Sequence, residues 1–576
     1  MEIKLFRLPK KTGTYADALA IVGLERLLDL LGASRATIRD QGGFYELTFK
    51  KPVNLEDLDY EAVHDDPGYR YIKLKESSPA PPNHLDYPGG RERLLNYRRI
   101  RDGLRKATGG RLTEEQQSQL KQVEPDSRWY LYQNTNVLKG FGPYNKLHEE
   151  ITKSEPEAFA AALHGKLTAM VPNNSGSTVK EEFRPKIPAV QVFTPHVGKG
   201  ANAVKTAGVR AAGLPDNFVD WFDEYLKYLG LERAANARAV GDDIKLFVIT
   251  PGDITAATLG GVSERFFRLN LPWSSAQIDI QGALGLAEGL VTQIAQGSLE
   301  EFGKTPRGYV SGLQTAYFKS LGSARALANV GFIGLPRWFP VTEDNADEWL
   351  EILEEHRKVL VILNEERSEE AELLLLYRDF LSATDSRKLL EFLASYASHV
   401  VRFRERKRFV RQFTTKNLRR LLVRLSSRFK DIVDDPGFRA VAGAIRRATV
   451  TEQYHSSQNN RVFEIEYGLF QDFKRKARFP DQFVGALSEF VNTYNSQNAR
   501  REEQLKGKPG RRRSRLTVGE LDRVVELMDR HGSEMVAMLL IAYGSARDPR
   551  APDEAGEAAQ AHDAVVEERI GEESIG

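Results

Sequence analysis

The chain has 576 residues, 41% of them hydrophobic and 28% charged, and its 82 Lys and Arg against 80 Asp and Glu leave a formal net charge of +2; by length it should hold roughly two to four domains with sizeable cores. Cysteine is absent, which excludes disulfides and thiolate metal sites and accords with a cytoplasmic location. No apolar run reaches the roughly 18 residues of a membrane helix, and the opening MEIKLFRLPKK lacks a signal peptide's apolar stretch, so a soluble protein without membrane contact is expected.

Residues 2–8 alternate as a strand. Thr14 stands where a helix N-cap belongs, with Asp17 in the capping-box position, and residues 15–31 are amphipathic up to Gly32. Residues 36–39 and 44–49 flank a DQGG turn, which predicts a hairpin. Between 65 and 110, SSPAPPNHLDYPGG followed by RERLLNYRRIRDGLRK reads as a loop leading into a basic helix, an insertion suited to nucleic-acid contact. Strands and helices alternate over 129–334, with KLFVITP at 245–251 the clearest buried strand; beyond Asp347 nearly everything is helix-like, broken at Asp435-Pro436-Gly437 and Lys508-Pro509-Gly510. The expected fold class is α+β: an N-terminal mixed α/β region over 1–340, a C-terminal all-α helical bundle over 341–548, and an acidic disordered tail over 549–576.

The small net charge hides a segregation. Residues 341–384 carry thirteen acids and four bases, residues 385–548 carry thirty-three bases and twenty acids, and the tail carries eight acids and two bases. A helical region with so many more bases than acids attracts polyanions whatever the overall isoelectric point. The densest stretch, residues 400–430, sets twelve Arg and Lys against one acid. Leu418, Leu421, Leu422, Leu425 and Phe429 recur at helical spacing, while Lys416, Arg420, Arg424 and Arg428 run four apart on another face. Arg prevails among these cations, and its planar fork grips two phosphate oxygens, so the favoured partner is a polynucleotide backbone; the plainer alternative is a salt-bridged helix face. Arg404, Arg408, Arg411, Lys416, Arg420 and Arg424 are the backbone-contact candidates here. A second cluster, ARREEQLKGKPGRRRSR, adds Arg511, Arg512 and Arg513 in an apparent loop between two helices, open to a polyanion or simply a solvated linker.

Catalytic signatures are sparse. The ten His form no HxH or HExxH pair, and His64-Asp65-Asp66 resembles a metal phosphohydrolase pair only superficially, without further ligands nearby. Gly198-Lys199-Gly200 falls short of a nucleotide-binding P-loop because Gly200 stands where Ser or Thr must bind magnesium. That loop, with Lys199, Asn202 and Lys205, still has the composition to cradle a nucleic-acid phosphate, a plain surface turn being the alternative. Gly42-Gly43 and Gly260-Gly261 are expected to be turns. Asn134 and Asn136, in WYLYQNTNVLKGFGPYNK, are amides able to reach base edges or sugars, or else to form a turn.

The opening TYADALAIVGLERLLDLLG resembles the start of several large subunits of type I CRISPR-Cas surveillance complexes (Cascade). FTPHVGKGANAVK followed by WFDEYLKYLGL, then LLEFLASYASHVVRFRERKRFVRQFTTKNLRRLL, FRAVAGAIRRATV, EIEYGLFQDFKRKARF, FVGALSEFVNTYNSQNARR and SEMVAMLLIAYGSAR resemble, in that order, segments of the large-subunit group of subtype I-B-like and related systems. The resemblance spans most of the chain. It implies a non-catalytic subunit, with no cofactor and no metal, that sits near the 5′ handle of the guide RNA and reads a protospacer-adjacent motif in target double-stranded DNA. It also implies support for strand separation and R-loop formation, guidance of the displaced single strand, and recruitment of the helicase-nuclease effector for antiviral defence. The other implied partners are the Cascade backbone and handle-binding subunits and a small subunit. Two alternatives remain on residue grounds. One is a divergent nucleic-acid-directed nuclease, which needs Asp65, Asp66, Asp242 and Asp243 to converge; the other is a scaffold whose basic region meets an acidic protein.

Overall fold

The computed structural model describes residues 2–108, 113–173, 182–195, 218–269, 271, 274–297, 306–322, 324–335, 341–382 and 386–548. They group into two compact units, the first made of residues 2–274 and 285–335 and the second of Ser275–Leu284 with the described residues from 341 onward. The first mixes strands and helices and the second is almost entirely helical, as the α+β reading expects.

In the first unit the opening strand (Glu2–Pro9), helix (Tyr15–Leu30) and hairpin (Ala36–Asp40 and Phe44–Asn54) form where the pattern places them. The sheet order is Glu2–Pro9, Phe44–Asn54, Ala36–Asp40, Ile254–Thr255, with antiparallel pairing throughout. Thr14 caps the helix by accepting from the Ala16 N–H at 3.3 Å. Asp17 does not complete the reciprocal box. Its carboxylate accepts instead from the N–H groups of Lys11, Thr12 and Gly13 at 3.1, 3.2 and 2.7 Å, because the preceding loop curls over the helix start. A second antiparallel sheet runs Ala324–Gly334, Val310–Leu321, Asp243–Pro251, Ala235–Val240, and its third strand is buried from Ile244 to Pro251.

Helix Tyr15–Leu30 packs against Trp221–Ala234 closely enough to require glycine. A Cβ on Gly23 would stand 1.7 Å from the Leu226 carbonyl oxygen, and one on Gly230 would stand 2.0 Å from that of Leu19. Gly42 does form the hairpin turn, at φ +77°, but Gly260-Gly261 is not a turn. Both lie inside helix Ala256–Phe267, where the Thr255 cap and the buried stripe Leu259, Val262 and Phe266 override the low helix propensity of glycine. The insertion contains two short parallel strands, Tyr71–Lys73 and His84–Asp86, before its basic helix Tyr87–Thr108.

In the second unit, helices Ala346–Leu360, Ser368–Ser382, Arg387–Glu405, Thr415–Leu425, Ser427–Val433, Pro436–Ala448, Val450–Ser457, Leu469–Lys476, Pro480–Leu505, Val518–His531 and Ser533–Ser545 follow one another. Trp349, Tyr377, Phe392, Leu421, Phe438, Ile445 and Leu540 are buried within it. The basic run is not one helix. Ser426 ends the first at extended angles, and its hydroxyl accepts from the Arg428 N–H to cap the next, so Arg428 leaves the register of Lys416, Arg420 and Arg424. Among the described residues no helix is long and apolar enough to cross a membrane.

Candidate nucleic-acid interface

Lys416, Arg420 and Arg424 lie on one face of helix Thr415–Leu425, opposite acids on helix Ala346–Leu360. Lys416 pairs with Glu351 at 2.9 Å, Arg420 with Glu351 at 2.5 Å and Glu348 at 3.4 Å, and Arg424 with Glu348 while its guanidinium lies 5.1 Å from the Trp349 ring. The Lys416 hydrogen bond, then that of Arg420, holds the Glu351 carboxyl below its ordinary pKa. This is therefore not an open cationic row, since two carboxylates from the acidic segment 341–384 already occupy it. Such half-exposed pairs are individually weak, and a polyanion would have to displace them. Arg402 is likewise paired, with Glu369 at 2.7 Å.

The two Arg-rich segments, far apart in sequence, meet on helix Val450–Ser457. Arg404 donates to the Val450 carbonyl at 3.0 Å and also to the Gln412 side chain, while Gln453 donates to the Val401 carbonyl at 2.9 Å. From the other side Arg511 and Arg513 both donate to Glu452. Residues 506–516 consequently form a pinned strap and not a loose linker. Leu516 and Asn495 exchange hydrogen bonds at 2.9 and 2.8 Å, and the helix expected to stop near Asn498 continues to Leu505. Arg511 and Arg513 point inward, whereas Arg512 is exposed and donates only to the Lys508 carbonyl, at 3.1 Å.

Exposed cations remain where helix Arg387–Glu405 ends. The Lys407 N–H bonds the Arg404 carbonyl at 3.0 Å and the Arg408 N–H bonds that of Phe403 at 2.8 Å, with Lys407 left-handed at φ 54°. This is a Schellman closure with Lys where Gly is usual. It holds Arg406, Lys407 and Arg408 in solvent beside Phe409, which is 53% exposed. Among the described residues none of these three cations has an ion pair. Tyr454 on helix Val450–Ser457 is also exposed, and the Arg408 guanidinium lies 5.8 Å from the Phe403 ring. Arg411 is half-buried, and its carbonyl accepts the Tyr396 hydroxyl at 2.6 Å. Cations for phosphates beside exposed rings for bases are what single-stranded nucleic acid requires.

The remaining candidates are placed differently. Asn134 lies in helix Trp129–Val137 and is 5% exposed; its amide donates to the carbonyls of Tyr130 and Ala237 at 2.8 and 3.1 Å, so it is internal and cannot face a base edge. Asn136 is half-buried in the last turn of that helix, and its carbonyl accepts from the Lys139 N–H at 2.8 Å. Lys199, Asn202 and Lys205, and the tail 549–576, lie outside the described residues. His64 is buried with Nε2 3.0 Å from the Ser154 carbonyl, and Asp243 accepts from the Tyr317 hydroxyl and the Ser320 N–H, both at 2.6 Å. No group of three or more His, Cys, Asp and Glu able to hold a metal occurs among the described residues, so Asp65, Asp66, Asp242 and Asp243 do not converge. Sequence reasoning missed Glu348, Glu351 and Glu452 as the partners of the basic clusters; the thirteen acids of 341–384 were the available signal for the first two, and Glu452 had none. No protein-family model matches this chain, and no curated protein matches it in sequence.

Proposed function

We propose that this protein is a nucleic-acid-binding subunit without chemistry of its own, and specifically the large subunit of a CRISPR RNA-guided Cascade complex. The observation that carries the first part is the meeting of the 404–408 and 511–513 segments on helix Val450–Ser457, which sets the unpaired cations Arg406, Lys407 and Arg408 and exposed aromatic rings around a common support. Long-range attraction is modest, so binding depends on local contacts of cations to phosphates and rings to bases. The second part rests on the ordered resemblance of the segments quoted above. On that reading the chain sits by the guide-RNA handle, recognises a short motif beside the target and steadies the displaced strand, with base pairing supplying sequence specificity.

The test is binding of duplex DNA carrying a guide-matched site with randomised flanks to the co-expressed guide-RNA complex, with and without this chain. Enrichment of a short flank only when the chain is present supports the assignment. A chain that joins no guide-RNA complex, or a complex indifferent to the flanks, removes it.

A further inference from the structure

The strap 506–516 carries more positive than negative charge into the helical unit. Glu452, its side chain 2% exposed, accepts from the N–H groups of Val462 and Phe463 at 2.7 and 3.0 Å, from Arg511, and from Arg513 at 3.0 Å. Three of these bonds fall on Oε1 and that of Arg513 on Oε2, so one carboxylate is bonded to two guanidiniums. Nε and Nη1 of Arg511 and Nη1 of Arg513 are buried with no hydrogen-bond partner. Nearby Arg447 donates to the Tyr494 hydroxyl at 2.8 Å and offers only its carbonyl, which Arg513 already uses at 2.7 Å. Half-buried Glu466 bonds Gln497 at 3.4 Å and neither arginine. Arg513 lies 3.8 Å from the Phe463 ring centroid, which fixes its plane. The His455 imidazole is pushed down first by burial and then by the charge of Arg511, with Glu452 opposing. Buried charged donors left without acceptors are costly, and an oxyanion relieves both the charge excess and the empty donor positions.

We propose that Arg511 and Arg513 form a seat for one phosphate group, taken by the donors that Glu452 leaves unused. Arg513, its side chain 4% exposed, is the fixed anchor, and Arg511, 25% exposed, is the outer member of the pair, which turns its buried donors toward the incoming phosphate. The seat accepts phosphate as the free anion or as one link of a nucleic-acid backbone. The backbone source rests on the nucleic-acid reading above, whereas the anion chemistry does not.

Two measurements on the full chain separate these. The first is the thermal midpoint in sodium phosphate against sodium chloride at equal ionic strength. The second is the affinity for a fluorescent single-stranded oligonucleotide. Both are made on the wild type, on Arg511→Gln, and on Arg530→Gln, which removes an exposed cation from helix Val518–His531. Phosphate should raise the midpoint of the wild type and of Arg530→Gln but not of Arg511→Gln, and oligonucleotide affinity should fall about tenfold in Arg511→Gln and less than about threefold in Arg530→Gln. Should Arg511→Gln fail to fold, Arg511→Lys keeps the charge beside Glu452 while losing the fork, and should still lose the phosphate-specific shift. No phosphate-specific shift in the wild type, or equal effects of the 511 and 530 substitutions, overturns the seat. A phosphate shift without oligonucleotide binding keeps the seat and overturns the nucleic-acid reading; oligonucleotide binding indifferent to Arg511 keeps that reading and overturns the backbone as the source of the phosphate.

Discussion

Mild acid should destabilise the helical unit through two buried histidines. His356, 1% exposed, has Nδ1 2.7 Å from the Tyr377 hydroxyl and its ring against Phe413, and burial pushes its pKa down to about 3. His399, 2% exposed, has its ring 3.9 Å from that of Phe403, and burial pushes it down to about 4. An unfolded imidazole titrates near pH ~6.5. Both groups are thus neutral in the fold, and the unfolded chain binds the extra protons as pH drops. Their contribution is complete above pH ~6.5 and is lost between there and the folded values near 4 and 3. At pH 5 each histidine costs about 2 kcal/mol, or about 4 kcal/mol together, against a typical domain stability of ~5–15 kcal/mol. Glu355 opposes this, because burial raises its carboxyl pKa and its protonation favours the fold. Glu351 and Asp434, held low by hydrogen bonds from Lys416 and Arg419 respectively, add losses only further down, in the carboxylate range. The assay is chemical denaturation followed by far-UV circular dichroism from pH 8 to 5, on the wild type and on His399→Phe, a ring that keeps the tilted contact with Phe403 and the stack on Tyr396. Replacing His399 should remove about half of the pH slope. A slope unchanged by the substitution, or no slope between pH 6.5 and 5 in the wild type, refutes the reasoning.

Three further outcomes follow from particular contacts. Gly23→Ala or Gly230→Ala drives a methyl into a facing carbonyl oxygen and should lower stability by about 3 kcal/mol or more, read from the melting midpoint; an unshifted midpoint would mean the helices do not cross there. Lys416→Glu, Arg420→Glu and Arg424→Glu together should destabilise by about 1 kcal/mol per position against Glu348 and Glu351, and adding Glu348→Lys with Glu351→Lys should restore the midpoint, whereas failure of the swap to restore it would show these pairs carry no coupling. Asn134→Ala should cost about 1 kcal/mol, because the Ala237 carbonyl loses one of its two side-chain donors and keeps Arg238, and should leave oligonucleotide affinity unchanged; a loss of affinity at constant stability would return Asn134 to the interface.

What sequence made legible was local, and what it withheld was long-range. The N-terminal strand, capped helix and hairpin follow from alternation, Thr14 and DQGG because each signal acts within a few residues of itself. Periodicity likewise located the buried stripe Leu418, Leu421 and Leu422. It could not say what the opposite face met, since Glu351 is 65 residues from Lys416 and Glu452 is 59 from Arg511. For Glu348 and Glu351 the charge counts by segment contained the answer in coarse form, acids before 384 and bases after, but Glu452 lies within the basic segment, and only packing decides which acid neutralises which base. Asn134 misled for a related reason, since an amide beside aromatics reads as a contact group until the neighbouring strand arrives to use it.

That neutralisation sets how strongly salt should act on nucleic-acid binding. Residues 341–548 together hold thirty-seven bases and thirty-three acids, so the helical unit is nearly balanced despite the twelve cations of 400–430. If every one of those twelve met a phosphate of a single strand, log K would fall with log salt at a slope of about −8. Lys416, Arg420 and Arg424 already hold Glu348 and Glu351, Arg402 holds Glu369, and Arg419 holds Asp434. The cations of this stretch that are exposed and without an ion pair among the described residues are Arg406, Lys407, Arg408, Arg428 and Lys430, and roughly five contacts give a slope of about −3.5. Substituting Gln at 406, 407 and 408 together should bring it to about −1.5, measured by oligonucleotide titration between 50 and 200 mM salt. A wild-type slope near −8 would mean that the polyanion strips the glutamates from helix Thr415–Leu425, and that the ion pairs are a resting arrangement given up on binding.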